Sequence, residues 1–291
     1  MGGSSSRPDP TPSKPDPPPS PEFKLPWRRF NWGEKEELKN HLETFSVSIP
    51  DVTHIRILLA GQIGAGKSSF INSVNNIFQE RITSDAIVDS SGLGHSFTKK
   101  LTPYIIRSAS GDLPFSLCDI MGLEANSSGS HPEDIIKALY GHVKNNYKFK
   151  PGEQLSPESE DYVRDPLLAD QAFCVVYIMA ANSEERLTGQ LRKIRDSSSE
   201  NRIPQVIIMT KVDEACPLVK KDLRKIYTSK KIKEKMEMCS ISIGVPMNHI
   251  FPVKNYHDEI DINDDVDVLI LKALDQIVNI ANDRLRDAAS I

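Results

Sequence analysis

One short glycine-rich segment has the residue types and the spacing needed to bind the phosphates of a nucleotide. Residues 61–68 read Gly-Gln-Ile-Gly-Ala-Gly-Lys-Ser, which fills every position of the pattern G-x-x-x-x-G-K-[ST]. An apolar run of strand length, 54–60, precedes it, and apolar residues at helical spacing follow it in 69–78. In a strand–turn–helix unit, the N–H groups of the turn and of the helix N-terminus converge on one anion. We therefore predict a phosphate-binding loop here, in preference to a turn that merely contains glycines.

The chemistry of each side chain in this loop suggests its role. We expect the Lys67 ammonium at the β- and γ-phosphates and the Ser68 hydroxyl on Mg²⁺. The residues predicted to contact the nucleotide phosphates are Gly61, Gly64, Ala65, Gly66, Lys67, Ser68 and Ser69.

A second motif ends a later apolar run. Asp119-Ile-Met-Gly122 matches D-x-x-G at the end of a predicted strand. We expect Asp119 to hold Mg²⁺ through water and the Gly122 N–H to reach the γ-phosphate. Thr98, just before another predicted strand, is our choice for the threonine that contacts both Mg²⁺ and the γ-phosphate, with Thr83 as second choice. Lys67, Thr98 and Gly122 are thus the candidate catalytic groups, and Ser68, Thr98 and Asp119 the candidate metal ligands.

A third motif indicates which base is bound. Thr210-Lys-Val-Asp213 matches [NT]-K-x-D after the apolar run 206–209. The Asp213 carboxylate can accept from guanine N1–H and N2–H₂ together, whereas adenine offers neither donor. Lys211 would lie along the base, and Thr210 stands where asparagine is commoner, which weakens one supporting hydrogen bond. Lys254 and Asn255, after the last predicted strand, are further candidates for contact with guanine. The predicted ligands are GTP or GDP and Mg²⁺.

Residues that would speed hydrolysis are missing from the expected positions. Leu123 stands where Ras-like enzymes carry the glutamine that orients water, and the variable loop positions Gln62, Ile63 and Ala65 hold no arginine. Such groups are worth several orders of magnitude in rate. We predict slow GTP hydrolysis, with a partner or a second subunit supplying the missing group. The candidate substitutes within the chain are Arg81, Lys99, Lys100 and Glu124.

Composition limits the classes of protein to consider. The chain has 291 residues and a net charge of −4, which gives no electrostatic basis for broad nucleic-acid binding. No apolar run is long enough to cross a bilayer. The four cysteines have neither metal-site spacing nor the density of a disulfide scaffold, so we expect a reducing, cytoplasmic setting.

Alternation of strands and helices predicts an α/β fold with a mostly parallel six-stranded sheet and helices on both faces, as in a P-loop NTPase G domain. The turn Ser110-Gly-Asp112 predicts a hairpin that makes the second strand an antiparallel edge strand. The predicted strands are 54–60, 101–108, 114–121, 172–180, 204–210 and 249–254. The predicted helices are 34–45, 67–78, 132–144, 184–196, 217–238 and 265–286.

The chain divides into three predicted parts. Residues 1–25 form a Pro/Ser-rich tail with too few apolar residues to fold, 26–50 a helical extension, and 51–291 the guanine-nucleotide domain. Two long loops, 79–98 and 145–171, are candidates for nucleotide-dependent motion and for contact with an effector or a second copy.

The N-terminus has two readings. Residues 1–6 read Met-Gly-Gly-Ser-Ser-Ser, which fits the N-myristoylation pattern and would give weak membrane contact if Gly2 is acylated. The aromatic cluster between Trp27 and Trp32 would then be a second membrane signal. Alternatively, the tail is unmodified and the cluster docks on the nucleotide domain.

These motifs together make the chain similar to the interferon-induced protein 44 and 44-like family. The likeness covers about 25–288 and is carried by the segments 27–30, 61–70, 117–123, 206–213 and 252–256. It implies a cytoplasmic GTP-binding protein of interferon-driven antiviral defence. Larger members of that family carry a further N-terminal domain, which the resemblance implies is replaced here by the Pro/Ser-rich tail.

Three functions are consistent with the motifs. The first is a guanine-nucleotide switch whose two long loops form a GTP-dependent surface. The second is a small-molecule kinase, which would need an arginine-rich lid, although 145–171 holds only Arg164, and which leaves Asp213 without a role. The third is a scaffold that keeps the fold but has weak catalysis, which Leu123 favours.

Overall fold

A computed structural model describes residues 20–86, 100–124, 129–183 and 188–290. Its centre is one six-stranded sheet with the order β2-β3-β1-β4-β5-β6. The strands are β1 Ile55–Gly61, β2 Thr102–Ser108, β3 Gly111–Asp119, β4 Ala172–Ala180, β5 Gln205–Thr210 and β6 Ile250–Pro252. The edge strand β2 is antiparallel to β3, and the other neighbouring pairs are parallel. The predicted fold class and the antiparallel edge strand are therefore confirmed.

Helices cover both faces of this sheet. They are α1 Lys35–Glu43, α2 Lys67–Gln79, α3 Pro132–Leu139, α4 Thr188–Glu200, α5 Val212–Ala215, α6 Pro217–Lys221, α7 Lys230–Ile243 and α8 Asp264–Ala288. On one side, α1 and α2 both contact α8; on the other, α4 contacts both α3 and α7. The central strands β1, β4 and β5 have long apolar runs because their side chains are buried on both faces of the sheet.

Strand register brings the candidate site residues to one edge of the sheet. Gly61 at the end of β1 pairs with Ile178 of β4, and Ala180 pairs with Thr210 at the end of β5. The carboxyl ends of β1, β3, β4, β5 and β6 therefore meet at the same edge, which is where open α/β sheets bind ligands.

The structure divides one predicted helix and shortens another. The span 217–238 contains α6, a 3₁₀ turn Leu223–Tyr227 and the start of α7, which continues to Ile243. Two side chains explain the break: Asp222 accepts from the Arg224 N–H, and Ser229 caps α7 by accepting from the Ile232 N–H. The predicted helix 132–144 ends at Leu139, because the chain reverses at Gly141, whose φ is 82°.

The segment before α1 runs along the 3₁₀ turn and α7. The Trp27 N–H donates to the Tyr227 carbonyl at 3.0 Å, and the rings of Trp27 and Phe30 pack on Tyr227 at 5.5 and 5.0 Å. Arg28 donates to the carbonyls of Met247 and Ile250. The aromatic cluster thus lies on the body of the domain.

The long loop 145–171 is packed onto the domain at several points. Tyr147, Phe149 and Leu155 are buried, and the Leu155 N–H donates to both carboxylate oxygens of Asp134, at 3.0 and 3.1 Å. Residues 87–98, which make up much of the other long loop 79–98, lie outside the described residues. So do Lys99 and the tail 1–19, which includes Gly2. No helix in the described part of the chain has both the length and the apolarity that crossing a bilayer requires.

Candidate functional site

The glycine-rich loop joins the end of β1 to the start of α2. Gly64 and Gly66 have φ values of 74° and 96°, which side chains rarely allow. Gly61 is required for a different reason, since a Cβ there would lie 2.3 Å from the Ile178 carbonyl oxygen. Each of these three glycines is therefore required by the backbone conformation or the close packing of this turn.

Lys67 lies inside this loop. Its side chain is buried, with 7% of the residue exposed, and Nζ donates to the carbonyls of Gly61 and Gln62 at 3.3 and 3.2 Å. Burial lowers the pKa of this ammonium, while nearby Asp119 has the opposite, smaller effect. A cation desolvated in this way gains from a nearby anion, and the phosphates of a nucleotide would supply one.

Ser68 and Asp119 lie side by side across the sheet edge. The Ser68 hydroxyl donates to Asp119 Oδ2 at 2.7 Å, and Asp119 is almost fully buried at the end of β3. No group of three or more His, Cys, Asp or Glu side chains that could hold a metal occurs within the described ranges. One hydroxyl and one carboxylate are a donor set that suits Mg²⁺, which takes few protein ligands and completes its shell with phosphate oxygens and water.

The D-x-x-G segment is held against the loop by its backbone. The Leu123 N–H donates to the Gly61 carbonyl at 3.0 Å, and the Ile63 N–H donates to the Leu123 carbonyl at 3.2 Å. A Cβ on Gly122 would lie 2.8 Å from the Ile63 nitrogen, so only glycine fits between the two segments. Leu123 itself is 0% exposed.

Ser130 is a residue of this segment that the sequence motifs miss. Its N–H donates to the Gly122 carbonyl at 3.0 Å, and its hydroxyl donates to the Met121 carbonyl at 2.5 Å. Ser130 therefore returns the chain to the D-x-x-G segment and fixes Met121 and Gly122 from behind. No pattern in the sequence marks it, because both contacts are to backbone.

At the end of β5, Thr210 is hydrogen-bonded to the glycine-rich loop. Its hydroxyl donates to the Ala65 carbonyl at 2.6 Å, and the residue is fully buried. Lys211 follows in the left-handed conformation, with φ 56°, and the short helix α5 begins directly after it. This turn places Asp213 on α5, at the end of β5, with its side chain partly exposed.

Asn255 and Lys254 differ in their contacts. The Asn255 amide donates to the Gly66 carbonyl at 3.1 Å, while its buried Oδ1 accepts no hydrogen bond from the residues described. Lys254 Nζ lies 2.5 Å from Glu259 Oε1. Burial of Glu259 opposes ionisation, but the bonds from Lys254 and from the His257 N–H outweigh it and lower the pKa of Glu259 to about 2. Sequence reasoning did not single out Glu259.

Of the two candidate threonines, Thr83 lies away from this cluster, and Thr98 lies outside the described ranges. Thr83 donates from its N–H and its hydroxyl to Asn76 Oδ1, at 2.6 and 2.9 Å. Asn76 is eight residues after Ser68 on α2, about 12 Å along the helix axis. Thr83 is therefore far from the Ser68–Asp119 pair in this structure, and Thr98 is not among the described residues.

Comparison with known proteins gives relatives in sequence. No protein-family model matches the chain. Over 259 residues it is 34% identical to interferon-induced protein 44 of Homo sapiens, covering 87% of this chain and 58% of that protein. The protein of the same name from Mus musculus is 36% identical over 244 residues, with 81% and 57% covered. Interferon-induced protein 44-like of Homo sapiens is 33% identical over 243 residues, with 81% and 53% covered. The chain thus spans somewhat over half the length of these relatives.

Solved structures are similar at a coarser level. Toc33 from Arabidopsis thaliana in complex with GDP and Mg²⁺ aligns with a TM-score of 0.46 at 14% identity, covering 86% of this chain and 91% of that one. A probable GTP-binding protein, engB, aligns with a TM-score of 0.43 at 11% identity, covering 78% and 99%. Similarity at this level says nothing about what this chain binds.

Proposed function

The chain belongs to the family of interferon-induced protein 44 and interferon-induced protein 44-like, and from that premise we propose that it binds GTP and GDP with Mg²⁺ and acts as a nucleotide switch with slow hydrolysis. The observation that carries the proposal is the convergence of three motifs, distant in sequence, on one loop. Lys67 and Ser68 lie at the start of α2, and Lys67 donates back to the loop carbonyls. Asp119 accepts a hydrogen bond from Ser68, and Thr210 donates one to the Ala65 carbonyl.

Each group of residues has a separate task in this proposal. The N–H groups of the loop and the start of α2 would bind the phosphates, and Lys67 would neutralise their charge. Ser68 and Asp119 would hold Mg²⁺, whose charge polarises the β- and γ-phosphate oxygens when it is bound. Asp213 would select guanine, because only guanine offers two donors to one carboxylate.

The position of Leu123 supports the proposal that hydrolysis is slow. Its side chain is fully buried, and its backbone is bonded to Gly61 and Ile63, so it cannot orient a water molecule at a γ-phosphate. The same observation supports the second candidate, a scaffold that binds nucleotide but hydrolyses it hardly at all. In the switch reading, an effector or a second copy meets 79–98 and 145–171 and supplies the missing group.

The cellular role is also part of the proposal. The names of the relatives mark them as interferon-induced, and we infer for this chain a cytoplasmic role in interferon-driven antiviral defence. Because the chain spans somewhat over half of those proteins, their whole activity is not transferred to it. Acylation of Gly2 would add weak membrane contact, and mass spectrometry of the N-terminus decides that point.

Isothermal titration with GTP, GDP and ATP, with and without Mg²⁺, tests the proposal. We expect GTP and GDP to bind and ATP to bind at least about 100-fold more weakly, because Asp213 would be left unpaired. Lys67→Ala should abolish measurable binding, since a charged contact to phosphate is lost, whereas the exposed loop variant Lys150→Ala should bind as wild type. Equal affinity for ATP, or no binding by folded wild-type protein, would overturn the proposal. Single-turnover hydrolysis of bound GTP then separates the switch from the scaffold.

A further inference from the structure

A string of polar contacts joins α1, which lies outside the sheet, to the phosphate-binding loop. It begins at Lys35 on α1, passes through Asp267 on α8 and Tyr256 after β6, and ends at Asn255 on the Gly66 carbonyl. The motifs of the nucleotide site account for its inner end alone. The outer members, Lys35 and Asp267, have no role in the function proposed above.

The inner end fixes the loop from two directions. The Asn255 amide donates to the Gly66 carbonyl at 3.1 Å. The neighbouring Tyr256 N–H donates to the Ser73 hydroxyl at 2.9 Å, which in turn donates to the Ser69 carbonyl on α2 at 2.7 Å. Any shift of the Tyr256 backbone therefore acts on both the last turn of the loop and the first turns of α2.

The outer end sets the position of Tyr256. Its hydroxyl donates to Asp267 Oδ1 at 2.6 Å and accepts from the Asn263 N–H at 2.6 Å. Asp267 is 0% exposed, and its other oxygen, Oδ2, lies 2.9 Å from Lys35 Nζ. Burial raises the pKa of Asp267, although the bonds from Tyr256 and Lys35 act in the opposite direction. Without Lys35 this carboxylate would be a buried charge with no paired cation among the described residues, which is costly.

A second contact of α1 reaches the other end of α2. Lys39 is paired with Glu80, the C-cap residue of α2, where the chain leaves the helix toward the long loop 79–98. The helix α1 thus contacts the network behind the phosphate-binding loop. It also contacts the start of the segment 79–98, which holds Thr83 and Thr98, the two candidates for the threonine that contacts Mg²⁺ and the γ-phosphate.

We propose that Lys35 and Asp267 are positioning residues of the nucleotide site, and that α1 controls how fast nucleotide is released by acting through Tyr256 and Asn255 on the phosphate-binding loop. The proposal rests on the proposed function for its consequence, nucleotide release, but the mechanical link can be measured without a ligand. Displacement of α1 would remove the cation from Asp267 and loosen Tyr256, so a partner that binds α1 would promote exchange.

The chain supplies a matched control for this link. Lys272 on α8 pairs with Glu34, next to α1, at 2.8 Å, so it also joins the two helices. That pair does not touch Asp267 or Tyr256. Lys35→Met removes two lysine–carboxylate pairs between α1 and α8, with Asp267 and with the exposed Asp264, whereas Lys272→Met removes one, and only Lys35→Met cuts the string.

The first experiment measures release of a fluorescent GDP analogue from the full chain by stopped flow. Lys35→Met and Tyr256→Phe should release it about fivefold faster or more, whereas Lys272→Met should stay within about twofold of wild type. Lys35→Arg should restore the wild-type rate. In an Asp267→Asn background, Lys35→Met should have little further effect on the release rate, because the carboxylate that links Lys35 to Tyr256 is gone and the remaining partner of Lys35, Asp264, is exposed and lies outside the string. Equal rates for Lys35→Met and Lys272→Met would overturn the inference.

The second experiment measures amide hydrogen exchange across 62–69 in nucleotide-free protein. Lys35→Met and Tyr256→Phe should increase exchange there, and Lys272→Met should not. This readout does not depend on nucleotide binding, so a wild-type protein that binds no nucleotide refutes the proposed function only, while unchanged exchange in both variants refutes the link. If Lys35→Met does not fold, Tyr256→Phe carries both measurements.

Discussion

The phosphate end and the base end of the candidate site are built in different ways. At the phosphate end, Lys67 and Asp119 are buried and the D-x-x-G segment is bonded to the loop through its backbone. At the base end, Asp213 is partly exposed on α5, a helix of four residues, and Lys254 is engaged with Glu259. Groups held in place before binding lose little freedom when a ligand arrives. We therefore expect the phosphate end to provide most of the affinity and a single carboxylate at the base end to provide the choice of base.

The largest effect that tests this division is a change of base specificity from one substitution at the base end. In Asp213→Asn the side chain offers a donor where guanine also has donors, so GDP affinity should fall by about 100-fold or more. Xanthine has a carbonyl at C2, where guanine has its amino group, so XDP should bind to this variant instead. Competition titration with GDP and XDP measures both affinities in one protein.

The control for this substitution lies on the same short helix. Glu214 is exposed and accepts from the Asn182 amide at 2.7 Å. Glu214→Gln should keep the wild-type preference for GDP over XDP. A parallel loss in both variants would mean that α5 acts as a structural element and that Asp213 does not read the base.

Sequence reasoning predicted the elements of this comparison better than their connections. The strands, the antiparallel edge strand and the strand–turn–helix unit around the glycine-rich loop follow from local patterns, because glycine positions and apolar runs depend on nearby residues. The break at Asp222 and Ser229 was missed because capping side chains compete with helical periodicity over a few residues only. Ser130 and Asp267 act through contacts to backbone or to residues distant in the chain, and one sequence has no signal for such pairs. Glu259 pairs with nearby Lys254, but the pair lies in an irregular loop, where no periodic pattern marks it.

Leu123 shows the difference between a motif position and a structural position. The motif places it where Ras-like enzymes have a catalytic glutamine, which suggests that Leu123→Gln would raise the hydrolysis rate. The structure predicts otherwise, since the side chain lies in the core and the backbone is bonded to Gly61 and Ile63.

We expect Leu123→Gln to leave the single-turnover rate of GTP hydrolysis unchanged and to lower the free energy of unfolding by about 1–3 kcal/mol, the cost of burying an amide without partners. Urea unfolding and single-turnover kinetics measure the two effects. Leu123→Met, which keeps an apolar side chain of similar volume, should lose less than about 1.5 kcal/mol. A clear gain in rate for the glutamine variant would show that the phosphate end is less rigid than the structure indicates.

The smallest effect concerns the ion pair at the base end. The pKa of Glu259 is lowered from its ordinary 4.5 to about 2, so its ionised form is favoured in the folded protein. A lowered folded-state pKa contributes stability above the unfolded value, and that stability is lost as the pH falls from about 4.5 through about 2. The difference in unfolding free energy between wild type and Glu259→Gln should therefore be constant above pH 5.5, to about one unit, and shrink below pH 4.5. Urea titrations at several pH values measure it, with Glu237→Gln, which removes a surface pair with Lys233 on α7, as control.

GDP affinity should change by no more than about threefold in Glu259→Gln, because a partly exposed pair is worth little. A larger change would indicate that Lys254 contacts the base and that two residues, Asp213 and Lys254, recognise guanine.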